Sequence, residues 1–319
     1  MKYILVFALL LVLELIYFEL ADRFNIIDRP NERSSHTSIT LRGGGVVFFF
    51  GAIAFYLISG FEYSYFFIGL SAIALISFLD DIFTLSNKIR LSIQFISVLL
   101  MLYQIDILSY PLIWGGIAVI FSIGIINAYN FMDGINGITV SYSTSVLLLL
   151  LITNNYIPFI NEDLIIFVLI ANFVFGIFNF RQKAKCFAGD VGSVAIAFII
   201  VFIISKLVIT TLNPIFILFL LVYGLDTIWT IIQRLSKKEN IFEAHRSHLY
   251  QIYANENKSD KLVVSMVYSV IQLLVGGLIV YSVLFYDRLS QYILGVVLII
   301  VGSILYLQLK HNLIKKYKL

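Results

Sequence analysis

The sequence predicts an all-α polytopic integral membrane protein of about eleven transmembrane helices, its N-terminus outside and its C-terminus cytoplasmic. Three observations lead there. Of 319 residues, 60% are hydrophobic and only 13% charged, against about a quarter charged in soluble domains, and the mean hydropathy is +0.96. Apolar runs near the ~20 residues that cross a bilayer recur along the whole chain, cut by charged or Gly, Pro and Asn-rich breaks. Lys and Arg gather in alternate loops: 21–42, 80–90, 128–136, 180–190, 234–261 and 310–319 hold 19 of the 22. Short loops that retain basic residues are cytoplasmic.

The breaks place the spans at 3–20, 43–59, 64–79, 90–104, 111–127, 137–153, 162–179, 191–208, 213–233, 262–285 and 290–309. The whole chain, 1–319, reads as one transmembrane domain. Its first run, Tyr3 to Leu20, follows Lys2 as a signal peptide would, but it lacks small residues at its end and further apolar segments follow, so it reads as a membrane helix. Glu14 inside it is a costly carboxylate, read as an interior structural contact rather than part of a lipid-facing groove. Cys186, the single cysteine, can form no internal disulfide and reads as an incidental thiol. A formal charge of +3, scattered over the chain, leaves no basic face for nucleic acid.

The chemistry sits in the basic-side loops near 21–42, 80–90, 127–137, 180–193 and 234–261. Asp80 and Asp81 end the third span side by side. Two adjacent anions need a cation or a proton, which suits a base or a phosphate-and-metal site, although a solvated helix end with Lys88 and Arg90 as counter-charges fits equally well. Asn127, Asn130, Asp133 and Asn136 recur every third residue, with Gly134 and Gly137 among them. On a helix end the first three share a face, and amides with a carboxylate are hard-oxygen donors of the sort Mg²⁺ uses; an Asn ladder joining helices is the alternative. Phe187-Ala188-Gly189-Asp190-Val191-Gly192-Ser193 opens the eighth span, where Asp190 is a metal ligand or only a helix cap, amides favour phosphate, and Phe187 offers a face to a base. His245, Arg246 and His248 suit an anion better than zinc, because the arginine repels a cation. Asp28 to His36, with the Arg42-Gly43-Gly44-Gly45 turn, adds phosphate donors.

In this order the loops resemble the polyprenyl-phosphate N-acetylhexosamine-1-phosphate transferases of glycosyltransferase family 4, over nearly the whole chain. The motifs that carry the resemblance are Asp28-Arg29-Pro30-Asn31-Glu32-Arg33-Ser34-Ser35-His36, the glycine turn, Asp80-Asp81, Asn127-x-x-Asn130-x-x-Asp133-Gly134-x-Asn136-Gly137, Phe187-x-Gly189-Asp190-x-Gly192-Ser193 and His245-x-x-His248. The resemblance implies transfer of a sugar 1-phosphate from a UDP-N-acetylated hexosamine to polyprenyl phosphate, releasing UMP, at the cytoplasmic face of the bacterial inner membrane. It also implies Mg²⁺, with room for Mn²⁺ in its place, held by Asn130 and Asp190. By the same resemblance, Phe187 and Asn136 bind the uracil, Arg90, His245, Arg246 and His248 bind phosphate, and Asp80, Asp81 and Asp133 form the catalytic acidic centre. A homodimer is compatible with it.

The chain departs from the family at Arg90, where lysine is usual, and at Leu41 and Lys183, where prolines are usual. Its His-Arg-Ser-His-Leu-Tyr-Gln stretch is more similar to O-antigen-initiating members than to the phospho-MurNAc-pentapeptide transferases, which remain the alternative within the family. A transporter is the alternative from another class. It would place its polar groups at the midplane and often repeat itself, whereas here they gather at one face.

Overall fold

The computed structural model describes residues 1–30, 39–83, 85–240 and 245–318. These form twelve α-helices and one small hairpin: α1 Lys2–Arg23, β1 Ile27–Asp28, β2 Thr40–Leu41, α2 Val46–Ile58, α3 Ser64–Phe83, α4 Asn87–Gln104, α5 Leu112–Met132, α6 Ile138–Tyr156, α7 Glu162–Asn179, α8 Gly189–Thr211, α9 Leu221–Ser236, α10 Leu249–Asn255, α11 Lys261–Phe285 and α12 Arg288–Tyr317. A 3-10 turn, Pro214–Leu220, leads into α9. Polar caps start several helices at the predicted breaks: Asn161, Asp260 and Asp287 accept the orphan amides of Asp163, Leu262 and Ser290.

Every predicted span contains a helix, and the all-α polytopic membrane class holds. Nine helices among the described residues are long and apolar enough to cross a membrane, against the eleven expected. The two that fall short do so for different reasons. At 13 residues, α2 is about 20 Å long against a hydrocarbon core of about 30 Å. In α4, Lys88, Arg90, Gln94 and Gln104 dilute the apolar surface. At the other extreme α12 runs on to Tyr317 instead of ending near 309, because Lys310 is buried rather than solvated.

The bundle is built around α8, which packs against α2, α3, α5 and α6 and is buried over 78% of its apolar window, against 11% for α12. Phe66 of α3 stacks on Phe198 and Phe202 of α8, with ring centroids at 5.6 and 4.0 Å. Where α2 and α8 begin, their backbones almost touch: a Cβ on Gly45 would lie 2.4 Å from the Cα of Gly192. This close approach draws the glycine turn and the start of α8 into one wall. The C-terminal ends of α3, α5 and α7 and the N-terminal ends of α2, α4, α6, α8 and α11 share that end of the bundle, as contacts such as Asp80–Arg90, Asn130–Asp190 and Gly137–Asn179 require. The opposite end is joined by Lys2–Asp163 and by Arg288 donating to the Thr211 carbonyl.

Candidate active site

The site begins with a backbone seam. Phe187 N–H donates to the Leu41 carbonyl at 2.8 Å, and Gly44 and Gly45 N–H donate to the carbonyls of Phe187 and Ala188 at 2.9 and 3.1 Å. Gly43 and Gly189, at φ 84° and 70°, let both strands of the seam turn sharply. Cys186 lies within it, buried, its thiol 3.9 Å from Glu14 Oε1 and its carbonyl accepting from Asn179 Nδ2. Burial and Glu14 push that thiol well above its usual range. Cys186 packs the seam as a buried free thiol, and Glu14 is wholly interior, as the structural reading expects.

The adjacent carboxylates of α3 point to different tasks. Asp81, with no side-chain exposure, accepts the first-turn amides of α8, Asp190 N–H at 2.9 Å and Val191 N–H at 3.1 Å, and also pairs with Arg42 Nε at 2.7 Å. The N-cap position, Ala188, has no side chain able to do this. Asp80 turns the other way, to Leu85 N–H at 2.6 Å and Arg90 Nη1 at 2.8 Å. Asp190 is where the separate pieces meet. Its Oδ1 accepts from Asn130 Nδ2 at 3.1 Å and Arg42 Nη2 at 3.4 Å, and its Oδ2 pairs with Arg90 Nη2 at 3.1 Å. Asn130 also reaches Ser193 Oγ at 3.1 Å.

Beside this cluster opens a polar cavity of about 250 Å³ lined by Asn130, Asp133, Asn136, Phe187 and Asp190, all anticipated, by Asp28 and Arg42 of the loop expected to add phosphate donors, and by Asn179 and Gln251, which are absent from the expected set. Asp133, at the C-cap of α5, accepts from Thr139 Oγ1 at 2.5 Å. Burial pushes its carboxyl up to about 6, the Thr139 hydroxyl opposing. Asn136 spends both amide N–H groups on the carbonyls of Arg181 and Gln182, at 2.8 and 3.1 Å, so its carbonyl oxygen is what the side chain retains for a ligand. Asn127 is not part of the site. Its Nδ2 bonds Gln94 Oε1 on α4 and the Ile123 carbonyl, the helix-joining alternative.

The histidine segment borders the site rather than lining it. His245 and His248 stack at 4.9 Å and flank Phe131 at 6.3 and 6.5 Å. Burial and the neighbouring His248 push His245 down to about 4, so it is neutral at pH 7 and can serve an anion only as an N–H donor. Arg246 pairs with Glu256 at 3.4 Å. His248 is buried, with Nδ1 turned to Asp226 at 3.1 Å. Asn31, Arg33 and His36 of the first loop lie outside the described residues.

No three His, Cys, Asp or Glu side chains group as a metal cage among the described residues. The donors that do converge, Asp190 and Asn130, are hard oxygens of the kind Mg²⁺ takes one or two at a time, leaving the remainder to phosphate and water. The residues therefore fit that ion, with Arg42 and Arg90 sharing its carboxylate.

Residues 63–208, which hold the anticipated site residues except the first loop and the histidine segment, match the family model described as glycosyl transferase family 4. Similar proteins include a probable undecaprenyl-phosphate N-acetylglucosaminyl 1-phosphate transferase of Bacillus subtilis (strain 168), 26% identical over 81% of this chain and 78% of its own length. The undecaprenyl-phosphate alpha-N-acetylglucosaminyl 1-phosphate transferases of Yersinia pestis and Escherichia coli (strain K12) are 26% and 25% identical, each over 73% of this chain and over 71% and 70% of their own lengths.

Proposed function

We propose that the chain is a member of glycosyl transferase family 4 and transfers N-acetylhexosamine 1-phosphate from a UDP-sugar to polyprenyl phosphate, with N-acetylglucosamine the first donor to test. One observation carries the reading: Asn130, Asp133, Asn136, Phe187 and Asp190, from two loops some fifty residues apart in sequence, line a single polar cavity at one end of a membrane bundle. That end holds the basic loops, which supports a cavity facing the cytoplasm, and the proposed location is a bacterial inner membrane.

In this reading Phe187 stacks on the uracil and the Asn136 carbonyl accepts its N–H. Arg42, at the cavity wall, and Arg90, paired to Asp190, draw the phosphates toward Asp190. Asp190 and Asn130 would hold Mg²⁺, or Mn²⁺, which when bound neutralises charge gathering on the leaving phosphate. An oxygen of the carrier phosphate attacks the β-phosphorus, the bond from that phosphorus to the bridging oxygen breaks, and UMP departs with the electron pair. Asp133 takes the carrier's proton where one remains. Asp81 holds α8 and Arg42 in place, and Asp80 does the same for Arg90.

The test is UMP release by detergent-solubilised protein given polyprenyl phosphate and, in separate arms, UDP-N-acetylglucosamine, UDP-N-acetylgalactosamine and UDP-muramyl-pentapeptide. Release with an N-acetylhexosamine donor supports the reading. Release only with the pentapeptide donor would move the chain to the peptidoglycan branch, and carrier-independent uptake of a solute into vesicles without UMP would return it to the transporters.

A further inference from the structure

Behind the cavity wall, a carboxylate sits among four helices. Asp226 of α9 is fully buried and accepts from the hydroxyls of Tyr268 (α11, 2.7 Å), Tyr306 (α12, 2.9 Å) and Thr230 (3.3 Å), and from the Leu249 and Tyr250 amides that open α10 (3.1 and 3.5 Å). Lys310 Nζ stands behind, donating to Thr230 and Tyr306 at 2.8 and 2.9 Å. The remaining partner is His248 Nδ1 at 3.1 Å. Six donors on one carboxylate exceed what closing a bundle requires, and one of them lies in the histidine segment.

The other edge of that ring is the informative one. His248 Nε2 is buried and has no partner among the described residues. A buried ring nitrogen left without a partner is costly, and such groups are kept where a ligand completes them. Nδ1 also faces the Gln251 amide that closes the α10 capping box, and the Asp226 carboxylate, the stronger partner, sets the proton on Nδ1 and the aim of the ring. The same segment carries Gln251 to the cavity wall, its Oε1 accepting the His248 amide at 3.3 Å.

We propose that Asp226 is a positioning residue of the site: it holds His248 by Nδ1 so that Nε2 is kept for a substrate phosphate. This rests on the phosphate-transfer reading above. Donor diphosphate and carrier phosphate offer the same chemistry, so each is varied separately in the test.

The decisive variant is His248→Asn, whose amide N–H can replace Nδ1–H toward Asp226 while nothing replaces Nε2. It should keep the wild-type melting temperature and lose roughly 10- to 100-fold in kcat/KM, the range seen when a carboxylate-oriented histidine is disturbed. A rise in KM for the UDP-sugar, or for polyprenyl phosphate, identifies which phosphate Nε2 meets. Asp226→Asn should cost a similar factor, and the double variant no more than the larger single loss, rather than the product of the two expected of independent sites. Should Asp226→Asn fail to fold, Tyr268→Phe, which deletes one donor to the same carboxylate, replaces it in the cycle. Protection of the purified protein against thermal unfolding by inorganic pyrophosphate is read in parallel. If wild type transfers no sugar yet pyrophosphate protects it and not His248→Asn, the transfer reading falls and the inference stands. Wild-type turnover and protection in His248→Asn, or multiplying losses in the double variant, would overturn the inference.

Discussion

Replacing Asp190 by Asn keeps the size of the side chain and one acceptor oxygen, and removes only charge. In the wild type, Asp80, Asp81 and Asp190 face Arg42 and Arg90 through pairs of 2.7–3.4 Å, which leaves one net negative charge; the variant is neutral. A unit pair at 4 Å in an effective dielectric of about 20 interacts by about 4 kcal/mol, and a divalent ion doubles it. Dehydration of the ion and carboxylate takes back most of this, leaving about 2.7 kcal/mol, or ~10²-fold. We therefore expect kcat/KM to fall ~10²-fold or more and the Mg²⁺ dependence to move to higher concentration. Stability should change by less than about 1 kcal/mol, because Asp81, not Asp190, receives the α8 amides and the Asp190 pairs are partly open to solvent. The assay is UMP release against Mg²⁺ for wild type and variant at equal folded amounts. Superimposable curves would refute the metal role, since a residue acting only at a helix start tolerates Asn as well as Asp.

Other perturbations have equally definite outcomes. With the Asp133 carboxyl raised to about 6, a base at this position works above that value and is lost below it, so log(kcat/KM) should drop as pH falls through about 6 rather than near 4, and Asp133→Asn should be slow with no such limb. Phe187→Ala should raise the UDP-sugar KM by the ~1–3 kcal/mol of one stacked base, roughly 5- to 150-fold, while Phe187→Trp stays close to wild type in the same titration. Gly45→Ala forces a methyl against Gly192 and should cost about 1–3 kcal/mol, seen as a lower melting temperature in detergent. A cysteine at Ser247 should react with an impermeant maleimide in inside-out vesicles and not in intact cells; the buried Cys186 gives little background.

Most of the fold was legible because it is written in long-range pattern: apolar length and the breaks between the apolar runs. The wall of the cavity was legible because Asn130, Asp133, Asn136, Phe187 and Asp190 stand at helix ends beside glycines, where side chains of that type have little structural reason to be. What escaped depends on direction. Consecutive residues on a helix point about 100° apart, so adjacency could not tell that Asp81 turns inward to α8 while Asp80 turns to Arg90. Arg42 read only as a phosphate donor on a glycine turn, because its two carboxylate partners are 39 and 148 positions away. Lys310 looked like the end of a helix, and only its bonds to Thr230 and Tyr306 explain why α12 continues.

The seating of Asp81 also limits how this site can vary. Two of its three partners are main-chain amides of residues 190 and 191, which every amino acid except proline presents alike. A change at 81 thus has no second-site side-chain change at 190 or 191 able to restore what was lost. Arg42 is the one partner that can be exchanged, and reversing that pair would still leave the first turn of α8 without its acceptor. Random variation here should therefore yield few revertants, and those should restore Asp81 itself.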